Sequence, residues 1–183
     1  MTASPDAAMA ILHGARLRLR PLRSDDASAV YTLFSDPAVT RYWSFAAWTR
    51  PAQAQAFIEL RQSLDPNSVR TFAIALATSD ELIGTLTLFL LAGQRAEIGY
   101  ALAPAWQGQG LATEALRLAI AHAFDALGVQ SIVADVDPRN RPSVRLIEGL
   151  GFHCVREEVE RWRVGDEIGS SAIYELRAAP TRG

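Results

Sequence analysis

Between Val69 and Pro104 the chain runs through three apolar segments in immediate succession, VRTFAIALA, ELIGTLTLFLLAG and RAEIGYALAP. Each has the composition of a strand; the first two are parted only by TSD, and Pro104 stops the third. Connections this short leave no room for a helical crossover, so the three strands pair as an antiparallel meander. A sheet with apolar faces must be covered, and the flanking segments supply helices.

Upstream, ARLRLRPL (residues 15–22) alternates basic and apolar residues, the period of a half-buried strand. SDDASAVYTLFSD follows as a first helix with Ser24 at its N-cap, and PAQAQAFIELRQSL as a second with Pro51 in its first position and Thr49 as cap. Downstream, Leu116, Ile120, Phe124 and Leu127 form one apolar stripe on a helix that Gly128 ends. QSIVADVD reads as a strand, NRPSVRLIEGLG as a short helix, and FHCVREEVERWRV with SSAIYELRA as a closing hairpin whose acidic run is a solvated face. No repeat or linker divides the series, which reads as one α+β domain with a mostly antiparallel sheet of about seven strands. It spans residues 15–178, between a loose N-terminus (1–14) and a short tail (179–183).

The 183 residues include 18 basic and 20 acidic side chains, a balance that excludes the broad basic footprint of a nucleic-acid binder. All the basic residues are arginine, so a Schiff-base lysine and a P-loop lysine are both impossible. The lone Cys154 reads as a small buried strand residue, and no Cys/His spacing suggests a metal. The N-terminus lacks the pattern of a signal peptide, and the longest apolar run is too short to span a bilayer. A cytoplasmic, metal-free protein with no membrane or nucleic-acid partner is expected, either as monomer or as homodimer.

The feature that calls for a ligand is PAWQGQGLATEA, residues 104–115, where two glycines precede a long helix. Main-chain N–H groups from Gly108 to Thr113 at a helix N-terminus make a nest for an anion such as a diphosphate, aided by the helix dipole. A dinucleotide fingerprint is the rival reading, with Asp135 or Asp137 as the ribose acid. It departs from the pattern at Thr113, which stands where the third glycine belongs, and in the APAW spacer ahead of the loop.

The run AEIGYALAPAWQGQGLATEAL resembles the acyl-CoA-binding core of the GNAT N-acetyltransferases, whose loop pattern Gln/Arg-x-x-Gly-x-Gly/Ala is met by Gln107, Gly110 and Ala112. VDPRNRPSVRLIEGLGF resembles that family's second signature, with Asn140 and Ser143 three residues apart before a helix ending in Leu-Gly-Phe. The branch most resembled is that of the ribosomal-protein N-terminal acetyltransferases. The likeness implies helices on both faces of the sheet and a V-shaped split between the strands near 97–103 and 130–137. It also implies acetyl-CoA as donor, held by Tyr100, Ala101, Leu102, Gln107, Gly108, Gln109, Gly110, Leu111, Ala112, Thr113, Asn140 and Ser143.

A GNAT enzyme transfers the acetyl group directly to a primary amine, and a peptide or protein α-amine is the first acceptor to consider. A polyamine or antibiotic amine, or a CoA-binding module without catalysis, are the alternatives. An N–H near Tyr100 to Leu102 would face the developing oxyanion. Glu97, which alternates onto the face opposite Ile98 and Tyr100, beside Gly99, is the candidate base; a solvated or cross-strand-paired acid accounts for it equally well. Ser143, which matches the signature serine, is the candidate proton donor to the sulfur, directly or through water, with helix capping or a hydrogen bond to the cofactor as its other reading; the tyrosine that many GNAT enzymes use on this helix instead is absent here. Asn140 reads as the helix cap. Tyr42, Trp43 and Trp48 are expected to form an aromatic acceptor wall or, alternatively, to staple helices to the sheet.

Overall fold

The expected meander lies at the middle of a larger sheet. The computed structural model of the chain describes residues 9–179. In chain order its strands are β1 (Leu12–His13), β2 (Leu17–Pro21), β3 (Val69–Leu76), β4 (Leu82–Leu91), β5 (Arg95–Leu102), β6 (Ser131–Val136), β7 (His153–Val164) and β8 (Glu167–Arg177). Its helices are α1 (Ala27–Ser35), α2 (Pro37–Thr40), α3 (Ala52–Ser63), α4 (Leu111–Asp125) and α5 (Arg141–Gly149). Among the described residues the sheet has 8 strands in the order β1-β2-β3-β4-β5-β6-β8-β7, and only β5 and β6 pair in parallel.

The eighth strand comes from the segment expected to be loose: Leu12 and His13 pair with Leu19 and Arg18 of β2. Residues 1–8 of that segment and 180–183 of the expected tail lie outside the described residues. Period-2 alternation divides the apolar side chains between two cores. On one face, Leu17, Leu19, Phe72, Leu86, Leu88 and Ile98 meet α4 and α5; on the other, Ala73 and Ala101 meet Val30, Leu33 and Phe34 of α1 and Ile58 of α3. The deepest positions of α4 are alanines (Ala115, Ala119 and Ala123) beside Leu116, while Ile120 and Phe124 of the expected stripe flank them half-buried. Small residues there let the helix axis approach the sheet.

Local details depart from the sequence reading for physical reasons. Ser24 opens a single 3-10 turn instead of capping a helix, and Asp26 organises this corner, accepting from the Arg23 amide at 2.7 Å. The same carboxylate takes both ends of the Arg20 guanidinium at 2.8 Å, so Arg20 is buried in an otherwise half-solvated strand pattern. Pro51, not Thr49, occupies the N-cap position of α3, and Gln53 folds back to accept from the Thr49 and Arg50 amides. Cys154 is exposed on β7, an edge strand most of whose residues face solvent.

Candidate active site

β5 positions the site. It pairs with β4 along its whole length but with β6 only through Arg95↔Ser131, Ala96↔Ile132 and Glu97↔Val133. Past that point β6 stays with β8, and among the described residues the stretch of β5 from Ile98 to Leu102 has no strand partner on its other side. This is the expected split, and it exposes a strand edge of main-chain donors and acceptors within the fold.

At the end of β5 the chain makes one 3-10 turn, Pro104–Trp106, and enters the glycine loop. Gly108 and Gly110 have φ of +73° and +75°, a left-handed conformation that side chains with a Cβ resist. These two kinks turn successive amides outward. Among the described residues, no carbonyl or side chain accepts from the N–H groups of Gly108 to Thr113, whereas Glu114 N already donates to Gly110 O at 3.1 Å. Unfilled donors at the N-terminus of a 15-residue helix are what an anionic diphosphate requires.

The loop is braced by side chains on both sides of it. Gln107 Nε2 donates to Leu102 O at 2.8 Å, and Gln109 Nε2 to Ala105 O at 2.9 Å. Arg16 donates to Gln109 O at 2.8 Å and, through its main-chain N and its Nε, to the two carboxylate oxygens of Glu114. Burial works against ionisation of Glu114, but the Arg16 hydrogen bonds and charge outweigh it and hold the carboxyl below its ordinary range.

Across the split, Asn140 caps α5 by accepting from Ser143 N at 3.3 Å, and the Ser143 hydroxyl lies 2.7 Å from that of Tyr100. Burial pushes the Tyr100 phenol above its ordinary range, the hydrogen bond to Ser143 pulling weakly the other way. These walls enclose a cleft of about 490 Å³. It is lined by Tyr100, Ala101 and Leu102 of β5, by Gln107, Gly108, Gly110, Ala112 and Thr113 of the glycine loop and the start of α4, by Asn140 and Ser143, and by Tyr42 and Trp43.

Four expected site residues do not line the cleft with their side chains. Leu111 is buried in the core, and the side chain of Gln109 is turned to the Ala105 carbonyl. Trp48 packs among Phe34 and Phe57, with ring centroids 4.9 and 5.6 Å away, so it staples α1 to α3 and does not line the cleft. Glu97 is half-buried where the β5–β6 pairing ends, on the same strand face as Ala101, and does not line the cleft either. Burial, then repulsion from Asp135, raises its carboxyl above the ordinary range, with Arg161 opposing. An ideal Cβ at Gly99 would meet nothing within 4 Å, so the space beside Glu97 is open.

The sequence reading missed Ala38 and Val39 of α2 and Pro142, Arg145 and Leu146 of α5. Asp36 accepting from the Ala38 amide ahead of Pro37 was a legible helix start, and Arg145 stands one helical turn after Pro142 on the same face. Among the described residues no group of three or more His, Cys, Asp or Glu side chains could hold a metal ion, and no helix is long and apolar enough to cross a membrane.

Residues 16–153, which hold the whole cleft, match the family model of the acetyltransferase (GNAT) domain. The chain belongs to the GNAT acetyltransferases. This GNAT protein is 35% identical over 147 residues to the N-acetyltransferase p20 of Bacillus licheniformis, covering 79% of this chain and 83% of that one. It is 29% identical over 140 residues to the spermidine N(1)-acetyltransferase of Escherichia coli K12, covering 74% and 72%. RimJ of Mycobacterium smegmatis, solved in complex with CoA-disulfide, superposes with a TM-score of 0.82 at 22% identity, over 92% of this chain and 88% of that one. The GNAT domain is an acetyl-CoA-dependent N-acetyltransferase, and the open amides of residues 108–113 fit the diphosphate of that donor. When bound, the donor supplies an activated thioester.

Proposed function

We propose that this GNAT enzyme acetylates the α-amine of a peptide or protein N-terminus by direct transfer. The observation that carries the reading is the continuity of the cleft, in which a donor end of free amides leads along the unpaired edge of β5 to the Tyr42 and Trp43 wall. An N–H of the Tyr100 to Leu102 stretch stabilises the oxyanion that forms when the amine attacks. Glu97, its carboxyl raised by burial and Asp135, takes the proton that the incoming ammonium must lose, through water because it stands outside the cleft lining. Ser143 donates to the departing sulfur. The exposed single thiol of Cys154 suits a reducing, cytoplasmic setting.

A polyamine is the second acceptor. The Glu97–Asp135 carboxylates beside the split favour a polycation, and one relative acts on spermidine by its name. The test is thiol release from acetyl-CoA with peptides of varied N-terminal residue, spermidine, aminoglycosides and free amino acids as acceptors. Peptide-dependent release with acetylation mapped to the α-nitrogen is the expected result. Release with spermidine alone moves the assignment to the polyamine, and acetyl-CoA binding without release to any amine leaves a non-catalytic module.

A further inference from the structure

Helix α5 carries no tyrosine, yet a phenol reaches it from the sheet. Tyr100 stands on β5 on the face that meets α4 and α5, and its Oη lies 2.7 Å from Ser143 Oγ in the cleft wall. The Ser143 main chain is fixed separately by the Asn140 cap. From this geometry, and resting on the acetyl-transfer reading above, we infer that Tyr100 is a positioning residue that orients the Ser143 hydroxyl as the hydrogen-bond donor to the leaving sulfur.

Two hydroxyls 2.7 Å apart share one hydrogen, so one of them must be the donor. A phenol is the stronger acid of the two, and its burial keeps it protonated, so Tyr100 donates and Ser143 accepts. That occupies a lone pair of Ser143 Oγ and leaves the serine's own hydrogen to be given elsewhere. A serine in the first turn of a helix would otherwise turn its hydroxyl to nearby main chain. Donation from Tyr100 also polarises the serine O–H, making it a better donor to a growing negative charge. As the amine nitrogen bonds to the acyl carbon and the C–S bond breaks, the electron pair passes to sulfur; the amine proton goes to the base, and Ser143 keeps its own proton while hydrogen-bonding the thiolate.

The test is a double-mutant cycle of Tyr100→Phe and Ser143→Ala, read by steady-state kinetics and by calorimetric binding of CoA as a function of pH. Phe preserves the ring volume, and thermal melts confirm that each variant folds. Tyr100→Phe is expected to lower kcat about three- to tenfold, the loss of roughly one neutral hydrogen bond, with KM for acetyl-CoA within twofold. In the Ser143→Ala background it is expected to have no further effect on kcat. CoA is expected to bind the wild type more tightly as its thiol ionises, and both single variants are expected to lose that pH-dependent gain alike. Additive effects in the cycle, a change confined to KM, or a pH-dependent gain that survives Tyr100→Phe would overturn the role of Tyr100. A wild type that binds CoA but acetylates no amine removes instead the reading on which it rests.

Discussion

Arg16 holds Glu114 by two hydrogen bonds, from its main-chain N at 2.8 Å and from its Nε at 2.9 Å, and with the same guanidinium holds the Gln109 carbonyl. One residue of the N-terminal hairpin thereby ties the first turn of α4 to the loop before it. The Arg16 side chain is about half exposed, so the ion pair itself contributes only about 1 kcal/mol or less to folding. Its contacts to Gln109 O and Glu114 hold the two ends of the loop that carries the open amides. Arg16→Ala is expected to raise KM for acetyl-CoA about three- to tenfold and to leave kcat and the melting temperature nearly unchanged. A fall in kcat at constant KM would place the effect elsewhere.

Gly110 tests the same loop from within. It is the N-cap of α4 with φ at +75°, and an ideal Cβ there would lie 3.4 Å from the Arg16 guanidinium. Gly110→Ala is therefore expected to cost about 1–2 kcal/mol of stability through the left-handed backbone. Gly110→Asp adds a carboxylate to the loop whose open amides are proposed to hold the diphosphate, and it is expected to abolish detectable acetyl-CoA binding in calorimetry while the protein still folds. Binding retained by the aspartate variant would refute the anion nest.

The Arg20–Asp26 pair is buried, with side-chain exposures of 3% and 6%, and Asp80 adds a second contact to Arg20 at 3.0 Å. Removing Asp26 takes away both of its guanidinium contacts and leaves the buried Arg20 charge offset only by the more exposed Asp80. Asp26→Ala is expected to destabilise the fold by about 3–5 kcal/mol in urea unfolding. Arg20→Met with Asp26→Leu, which removes both charges, is expected to recover most of that loss. A double variant as unstable as the single would assign the cost to packing.

The elements of this fold were legible because strand alternation, the α4 stripe and the glycines around it are local signals. The glycine-loop end of the cleft was legible for the same reason, since its lining residues fall between Gln107 and Thr113. What sequence could not supply are partners chosen by packing. Tyr100 and Ser143 are 43 residues apart and Arg16 and Glu114 are 98, and their contacts depend on how α5 and β1–β2 dock on the sheet. Trp48 illustrates the converse: an aromatic in a connection fits a pocket or a core, and only the positions of Phe34 and Phe57 decide for the core. The first strand was too short to show a period, and its pairing with β2 is a tertiary fact.

Glu97 separates function from stability by the sign of its titration. Burial and Asp135 raise its carboxyl in the folded state above the unfolded value, so the folded protein binds this proton more tightly than the unfolded chain does. The stability linked to the group is then fully present below the unfolded pKa and is lost as pH rises through the folded one. At neutral pH the ionised Glu97 is a net cost to folding. Glu97→Gln is accordingly expected to raise the melting temperature at pH 7 and to change it little near pH 4, while lowering kcat by about 10²-fold if the carboxylate is the base. The acid limb of the wild-type kcat/KM profile, set by a group above the ordinary carboxylate range, disappears in the variant. A variant that is no more stable at neutral pH than the wild type would contradict the burial argument, and unchanged turnover across the pH range would remove Glu97 from the chemistry.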